Sequence, residues 1–484
     1  MRLKWSGRIV VSMLTGTLFL FALWILASSI TSTSASDRIS PAAEEEIEEK
    51  AKGLRRSGIV LSEVVDAPAL QPARAPAPAS SGFAPQTRLG FNTGDQWEPA
   101  IAADRFGHVY VLYPQYFGVP GCPTCFSPTM ILQMSSDRGS TWASPRLIYP
   151  DRASLGQWDA QIVVDPIDGR TVYAAWLQNG KSDTVVARST DFGASWTVVI
   201  ANSTNASTDK PILVVRGQDV YVGYNHVQKV WVSASHDGGA TFTSTIVNRT
   251  AAGQLGWSLA GGGAVDPAGS VYFAWGGYEQ NGGAKGPVNL YISKSTDGGS
   301  TWKIKLIDVS GSPPDCSAYS CGWAYFGAQI TMTSDAAGTL YALWNAGEVD
   351  KGPERIFFAK STDAGETWSP KMDVSAAPLG VNHAFPAIIA GAAGDVRISW
   401  MDARAQGLWN TYYRSSRNGG ETWSAEDDLS TFVSGFSYIY PDGFSFPFGD
   451  YFEMDIDDRG TTHVVWGEGL NYDTPGSIWY TRGR

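Results

Sequence analysis

The chain has 484 residues, of which 43% are hydrophobic and 17% are charged, with a formal net charge of −11. This composition excludes a chain that is disordered throughout, and the acidic balance opposes the counterion release on which nucleic-acid binding depends. With 53 Gly, 19 Trp, 20 Tyr and 20 Phe, the sequence favours turns and aromatic-rich strands. We therefore expect an all-β body and no nucleic-acid partner.

The first 35 residues carry the features of an export or anchor segment. Arg2, Lys4 and Arg8 precede an uncharged run from 9 to 30. A run of this length can span a bilayer, and the small residues near position 35 offer the alternative of a cleaved signal peptide. The positive-inside rule keeps the basic flank in the cytoplasm. The body is therefore expected outside the cytoplasm, either anchored in the membrane by residues 1–35 or secreted after their cleavage.

Residues 36–85 are predicted to separate the anchor from the body. An acidic run followed by a basic one after Pro41 predicts a short solvated helix over 41–56, because this charge order suits the helix dipole. Residues 66–85 are rich in Pro and Ala, which is typical of an extended spacer. The membrane is therefore an expected partner through the N-terminal segment alone.

From residue 86 the sequence repeats itself. A unit of the form Ser-x-Asp-x-Gly-x-Thr-Trp occurs six times, at 135–142, 189–196, 235–242, 295–302, 361–368 and 416–423. The Asp or Asn side chain can accept hydrogen bonds from its own turn, and Gly supplies a positive φ. These residues are therefore expected to build turns rather than a site.

A second unit alternates with the first: two strands joined by a Gly-containing turn, ending on an aromatic residue. Its seven copies end at Tyr113, Trp176, Tyr224, Trp275, Trp344, Trp400 and Trp466. Seven units of two hairpins each predict a seven-bladed β-propeller over 86–484. The last unit lacks a fourth strand, so residues 86–92 are expected to supply it by pairing with the strand at 477–482.

The four cysteines form two close pairs. Cys122 and Cys125 are three residues apart, and Cys316 and Cys321 are five apart. Two local disulfides are expected in an oxidising compartment, with a zinc site built from all four as the alternative.

The six turn units resemble the Asp-box (BNR) repeats of the sialidase superfamily. The resemblance covers residues 86–484 and implies a propeller whose Asp boxes lie on the side away from the active site. Its members include sialidases, other glycosidases and non-catalytic propellers. Sialidases themselves have six blades, so a six-bladed sialidase-like ring is the alternative architecture. They also carry an Arg-Ile-Pro motif, which is absent here.

A candidate site follows from the residues just ahead of each inner strand, since these meet around one mouth of a propeller. Glu98, Asp159 and Asp209 each stand three residues before an isoleucine, and Asp450 stands in the adjoining last blade. These four are the candidate catalytic carboxylates. The candidate substrate-binding residues are Trp97, Trp158, Trp257, Trp323, Tyr325, His383 and Arg404.

Carboxylates facing aromatic rings favour a glycan ligand and, if the site is catalytic, a glycoside hydrolase that is exo-sialidase-like. The alternative for each acid is a structural one, in which it accepts backbone N–H groups from the next blade. Arg404 and Arg355 are the guanidinium groups that we place on this face, whereas a sialidase needs several. No metal or cofactor is expected.

Two further segments have alternative interpretations. The aromatic-rich segment 431–452 is either a core plug or an exposed contact surface for protein partners, and the latter defines the alternative function of a non-catalytic cell-surface propeller. Asp455, Asp457 and Asp458 suggest a calcium loop, but their alignment with the other Gly-containing turns favours turn chemistry.

Overall fold

The computed structural model describes residues 82–149, 155–248, 258–278, 286–314, 327–405, 408–430, 439–440, 443–444, 449–469 and 476–483. The expected anchor 1–35, and the linker up to residue 81, lie outside these residues. Within the described ranges no helix is both long and apolar enough to cross a membrane.

The described residues are organised as 31 strands. The first sixteen are β1 (Thr87–Leu89), β2 (Asp95–Gln96), β3 (Ala100–Ala103), β4 (Val109–Tyr116), β5 (Thr129–Ser135), β6 (Arg146–Leu147), β7 (Gln157–Val164), β8 (Val172–Gln178), β9 (Asp183–Ser189), β10 (Thr197–Ser203), β11 (Thr208–Arg216), β12 (Asp219–His226), β13 (Lys229–Ser235), β14 (Thr243–Ile246), β15 (Ser258–Val265) and β16 (Val271–Tyr278). The others are β17 (Val288–Ser295), β18 (Lys303–Ser310), β19 (Ile330–Ser334), β20 (Leu340–Ala346), β21 (Arg355–Ser361), β22 (Met372–Asp373), β23 (His383–Ala390), β24 (Val396–Ala405), β25 (Leu408–Ser416), β26 (Asp427–Asp428), β27 (Ile439–Tyr440), β28 (Gly443–Phe444), β29 (Glu453–Ile456), β30 (Thr462–Gly469) and β31 (Gly476–Gly483).

These strands form seven antiparallel sheets, which are the blades of a propeller. Blade 1 contains β3 to β6 with β2 also paired to β4, and blades 2 to 6 each take the next four strands in order. Blade 7 contains β29, β30, β31 and β1, while β27 and β28 form a separate hairpin. The predicted seven-bladed all-β fold is confirmed, and the six-bladed alternative is wrong.

The core lies between neighbouring blades. The seven aromatic residues that end the repeated hairpin units lie within the second strands and are all buried, with exposed fractions of 0 or 1%. Three of the tryptophans satisfy their indole N–H on a side chain two residues further along, as Trp176 does with Gln178 at 3.1 Å, Trp400 with Asp402 at 2.9 Å and Trp466 with Glu468 at 2.8 Å. Burying a large ring without an unsatisfied donor is why this position favours tryptophan.

The six Ser-x-Asp repeats form the turns between the third and fourth strands. In blade 1, Ser135 Oγ accepts the Gly139 N–H at 2.8 Å, while Asp137 accepts Thr141 N–H at 2.8 Å and its hydroxyl at 2.6 Å. The hydrogen bonds from Thr141 lower the pKa of Asp137 to about 2. Gly139 has a φ of +76°, and a Cβ there would stand 1.8 Å from the Tyr480 hydroxyl. The turn interpretation of these repeats is confirmed.

The ring closes where the two ends of the chain meet. Strand β1 pairs with β31, with Thr87 opposite Tyr480 and Leu89 opposite Ile478. At the same seam Arg138 forms ion pairs with Asp457 and Asp458. Asp457 also accepts the N–H groups of its own turn from Arg459 at 2.9 Å and Thr461 at 2.8 Å. The predicted closing strand is confirmed, as is turn chemistry rather than a calcium loop at Asp457.

Truncation tests this closure. A chain that lacks residues 1–80 should fold as the full chain does, because β1 is retained. A chain that lacks residues 1–93 should unfold or aggregate, because it exposes the edge of β31 and loses the buried Leu89. Thermal melts and size-exclusion profiles of the two chains measure the difference, and equal stability would contradict the role of β1.

Blade 1 also carries a disulfide. Cys122 and Cys125 are bonded to each other in the connection between β4 and β5. This confirms the first local pair and excludes a zinc site that uses all four thiolates. Cys316 and Cys321 lie outside the described residues, so their pairing stays a prediction.

Because the Cys122–Cys125 bond closes a very short loop, it constrains the unfolded chain little. Replacing both cysteines by serine should lower the free energy of unfolding by about 2 kcal/mol, which is the low end for disulfides. Denaturant titration of the two proteins measures this, with a thiol assay on the native chain as control. A loss above about 4 kcal/mol would show that the disulfide also holds folded structure.

Candidate functional site

The two ends of the propeller differ in which connections they carry. The turns after first strands and after third strands lie together, as the Arg138 N–H to Gly107 carbonyl bond of 2.8 Å shows; we call this the turn end. The connections between second and third strands and between blades lie at the opposite, site end. The chain enters β1 from Phe83 and Ala84, which pair with Gly483 and Arg482 at the turn end.

The four predicted carboxylates lie together at the site end, interleaved with two lysines. Asp450 forms an ion pair with Lys210, whose Nζ lies 3.9 Å from Glu98 Oε1. Lys181 Nζ lies 3.0 Å from Asp209 Oδ1 and 3.8 Å from Asp159 Oδ2. We name the set of Glu98, Asp159, Lys181, Asp209, Lys210 and Asp450 the acid–lysine cluster.

Three of the cluster residues occupy equivalent places on adjacent inner strands. Glu98, Asp159 and Lys210 have φ angles of 52°, 58° and 50°, in the left-handed region. For Asp159 and Lys210 this falls where the pairing of the strand shifts at a β-bulge, between 158 and 161 and between 209 and 212. A bulge re-aims a side chain, and here it directs these side chains to the propeller mouth.

The predicted register of Asp209 is therefore wrong by one residue. Ile162 pairs with Ala174 of β8, whereas Ile212 pairs with Gly223 of β12. Gly223 corresponds to Ala175, so Ile212 is the equivalent of Gln161 and not of Ile162. Pairing with the second strand decides the register, and the isoleucines do not. Lys210 is the equivalent of Asp159, and Asp209 reaches the cluster from the place that Trp158 has in blade 2.

Close packing of blade 7 against blade 1 brings Asp450 to Glu98. The preceding Gly449 has a φ of +66°, and a Cβ there would stand 2.2 Å from Glu98 Cγ. Lys210 Nζ also lies 4.8 Å from the ring centroid of Tyr451. Glycine at 449 is required both by the backbone and by this contact.

Burial shifts the cluster toward protonated carboxyls. It raises the pKa of Glu98 well above the usual range, with Lys210 opposing the shift and the nearby Asp450 adding to it. Burial raises the pKa of Asp159 to about 6 against the opposing charge of Lys181. The raised pKa favours the protonated form of Glu98, which is hydrogen-bonded to Asp450. A carboxylic acid beside a carboxylate is the pair that acid–base chemistry requires.

The cluster is closed in this structure. Its four acids are 2 to 5% exposed, and the cavity that Glu98, Asp159 and Asp209 border with Tyr116 and Trp158 measures about 10 Å³, while Asp450 lines the central channel of the propeller. A volume of that size holds about one water molecule. The cluster therefore has the charges of a site, but a sugar can enter only after the side chains that cover it move.

The predicted stacking surface differs from expectation at two tryptophans. Trp97 is 2% exposed and stacks on Tyr116 with ring centroids 4.0 Å apart, and Trp158 is 1% exposed beneath the cluster. Their rings pack in the core because bulky side chains at this level fill the space between blades, so they do not offer a face to a ligand. Trp257, Trp323 and Tyr325 lie outside the described residues, as does most of the segment 431–452.

His383 and Arg404 are also engaged inside the protein. His383 is fully buried, with Nδ1 donating to the Glu354 carbonyl at 2.9 Å and Nε2 lying 2.7 Å from Ser375 Oγ. The Arg404 guanidinium pairs with Asp402 and Glu426 and lies 3.8 Å above the Tyr412 ring. These contacts give both residues a role in positioning the connection between blades 5 and 6.

Arg355 holds the same connection. It pairs with Asp373 at 2.8 Å and donates to backbone carbonyls between 375 and 378. The two guanidinium groups that the sequence placed at the mouth are therefore committed to internal partners.

Residue patterns did not single out Lys181 or Glu354. Lys181 follows a turn and is 6% exposed. Glu354 is fully buried, accepts a hydrogen bond from Asn345, and has its pKa raised well above the usual range by burial. A lysine or glutamate beside a turn carries no local signal of burial, because its neighbours come from other blades.

Comparison with known proteins gives fold-level likeness. No protein-family model and no curated protein matches the sequence. Solved structures similar to this chain include a protein of unknown function from Dyadobacter fermentans, with 14% identity, 83% of this chain and 98% of that chain covered, and a TM-score of 0.47. The Hadza microbial sialidase Hz136 has 15% identity, 81% and 66% coverage and a TM-score of 0.44. An ulvan lyase has 10% identity, 81% and 95% coverage and a TM-score of 0.49. Identities this low leave function to be argued from the site.

The charge state of Glu98 predicts a pH dependence of stability. A carboxyl whose pKa is higher in the folded than in the unfolded chain stabilises the fold below its unfolded pKa and loses this contribution as pH rises through the folded pKa. Glu98→Gln cannot ionise, so it should gain stability relative to the wild type as pH rises above the pKa of an unfolded glutamate, about 4.3, by up to about 1.4 kcal/mol per pH unit. Melting curves of both proteins at a series of pH values above this one provide the measurement. A difference that does not change with pH would show that Glu98 is ionised throughout.

Proposed function

We propose that this protein is a membrane-tethered, extracytoplasmic propeller that binds a neutral glycan at its site end. The acid–lysine cluster carries the proposal, because it brings four carboxyls and two lysines together at the propeller mouth. Carboxyl and ammonium groups together supply the donors and acceptors that sugar hydroxyls need. The chain enters the propeller at the turn end.

The charge of the cluster supports a neutral ligand. The cluster sets four carboxyl groups against two lysines, so it offers no excess of positive charge to an anionic ligand. Arg355 and Arg404, which would have to bind a substrate carboxylate bidentately, are paired with acids of the protein. Sialic acid is therefore disfavoured, and the exo-sialidase form of the hypothesis loses its support.

The same cluster supplies the groups for glycoside hydrolysis. Glu98, whose pKa is raised by burial, would act as the acid that protonates a leaving glycosidic oxygen, and Asp159 or Asp450 would act as base or nucleophile. A protein that binds the glycan without hydrolysing it would use the same groups. Binding alone and hydrolysis therefore share one site and differ only in whether a cleaved sugar is released.

A second candidate function is binding of a protein partner at the same end. Large apolar side chains are exposed there on connections of blades 1, 2, 3 and 5: Phe126, Leu155, Val227, Val349 and Leu379. Val227 is 63% exposed and has a φ of 47°, which is unfavourable for a β-branched residue. Strain at an exposed apolar residue favours a contact surface.

A glycan array and a panel of neutral and sialylated glycosides, both applied to the full chain, test the first proposal. Glu98→Gln, Asp159→Asn and Asp450→Asn should remain folded, bind neutral glycans less tightly than the wild type and, if the protein is a hydrolase, lose turnover by about a hundredfold or more. Glu366→Gln at the turn end is the matched control and should change nothing.

Two outcomes would contradict the proposal. One is a wild-type protein that binds no glycan at all. The other is unchanged glycan affinity per folded molecule in the three amide variants, with a lower melting temperature in each. The second result would assign the cluster a structural role and leave the protein-partner candidate.

A further inference from the structure

A channel runs between the inner strands of the propeller, and Lys210 and Asp450 of the acid–lysine cluster stand in its lining. Its volume is about 410 Å³, within the range of small-molecule sites. Its wall is formed mainly by aliphatic side chains and glycine from β7, β11, β15 and β23, among them Val164, Ile212, Leu259 and Ile389. An apolar cavity of this size favours a ligand with an apolar body.

Two carboxyls interrupt this apolar wall. Glu453 and Asp455 stand two residues apart on β29, so they face the same side of the strand, and both line the channel. Asp455 Oδ2 accepts the Ala103 N–H at 2.7 Å, and Glu453 Oε2 accepts the Ile101 N–H at 3.2 Å. Gln161 donates its amide to Glu453 Oε1.

These hydrogen bonds fix the two carboxyls but do not saturate them. An ionised carboxylate has about four lone-pair positions, and each of the two uses two of these in the contacts with backbone or Gln161. The sequence leaves open that the acids of the cluster accept backbone N–H groups from the next blade. Glu453 and Asp455 have this role instead. It also preorganises both groups toward the channel.

Among the described residues, no lysine or arginine forms an ion pair with Glu453 or Asp455, and Lys210, which lines the same channel, is paired with Asp450. Asp457 and Arg397 act on Asp455, while Tyr451 lies near Glu453. Arg397 is committed to Asp395 at 2.8 Å and to Thr462 at 2.6 Å. Burial therefore dominates, raising the pKa of Glu453 to about 8 and that of Asp455 to about 7.

We propose that the central channel is a second ligand site, which binds a small apolar molecule that carries a protonated amine, with Glu453 and Asp455 as counter-ions. The amine offers the charge and the N–H donors that two desolvated carboxyls lack, and the apolar body fills the aliphatic wall. This proposal does not depend on glycan binding at the acid–lysine cluster.

Linkage gives the proposal a specific signature. Near neutral pH the empty site holds protons on these carboxyls, and a bound ammonium group favours their ionised forms. Binding of the amine should therefore release protons to the buffer, up to one per carboxyl. A ligand that only fills the cavity would release none.

Isothermal titration of benzylamine into the full chain in a mild non-ionic detergent tests this, with benzyl alcohol and benzoate as neutral and anionic probes of similar shape. We expect benzylamine to bind at about millimolar Kd or tighter, at least tenfold more tightly than benzyl alcohol, and benzoate not to bind. Repeating the titration in two buffers of different ionisation enthalpy at pH 7 should show proton release for benzylamine alone. Titration into detergent without protein corrects for partitioning.

Variants separate the carboxyls from the cavity. Glu453→Gln and Asp455→Asn should each weaken benzylamine about tenfold and leave benzyl alcohol unchanged. Val164→Phe should weaken both probes, because it fills the channel and keeps the carboxyls. Asp350→Asn, on an exposed connection of blade 5, is the matched control and should alter neither affinity.

The proposal fails if benzylamine gives no binding heat up to about 10 mM. It also fails if the amine and the alcohol bind equally, or if neither carboxyl variant that keeps the wild-type melting profile changes the amine affinity. Should both carboxyl variants unfold, the wild-type comparison of benzylamine, benzyl alcohol and benzoate in two buffers decides the outcome by itself.

Discussion

Closure of the ring by β1 and β31 is the constraint on which the rest of the structure depends. Three residue pairs of one short strand, from Thr87 to Leu89, join the start of the propeller to its end. An antiparallel sheet with an open edge exposes unpaired N–H and C=O groups, and closure removes that edge from blade 7. Blade 7 is thereby fixed against blade 1, and residues about 350 positions apart in the chain come into contact.

Both candidate sites lie on that seam. Asp450 of blade 7 meets Glu98 of blade 1 in the acid–lysine cluster, and Glu453 and Asp455 accept N–H groups from Ile101 and Ala103. The inner strands are not paired with one another as sheet strands, so their backbone donors need side-chain acceptors. A glutamate or an aspartate supplies them, and its burial then shifts its protonation. Structural and chemical roles thus fall on the same carboxyls.

The two ends of the propeller follow different rules. At the turn end each repeat satisfies its own donors with a serine, an aspartate or asparagine and a glycine, so nearly the same residues recur in six blades. At the site end the left-handed bulge position recurs while its side chain changes, being Glu98, Asp159, Lys210 and Phe385 in blades 1, 2, 3 and 6. Because the backbone conformation recurs while the side chain varies, one scaffold can build a site whose functional side chains come from only some of the blades.

The sequence by itself determined the all-β fold, the seven blades, the closing strand and the turn role of the Ser-x-Asp repeats. Each of these depends on contacts within a turn or a hairpin, whose partners lie a few residues away and recur. It also identified the four acids of the cluster, because each stands near the start of an inner strand. Only the tertiary structure decided that Lys210 and not Asp209 occupies the bulge position. It also decided that Trp97, Trp158 and His383 are buried and that Arg404 is paired with acids. Finally, it placed Glu453 and Asp455 on the channel. These outcomes depend on strand register and on desolvation by neighbouring blades, and neither leaves a local pattern in the order of residues.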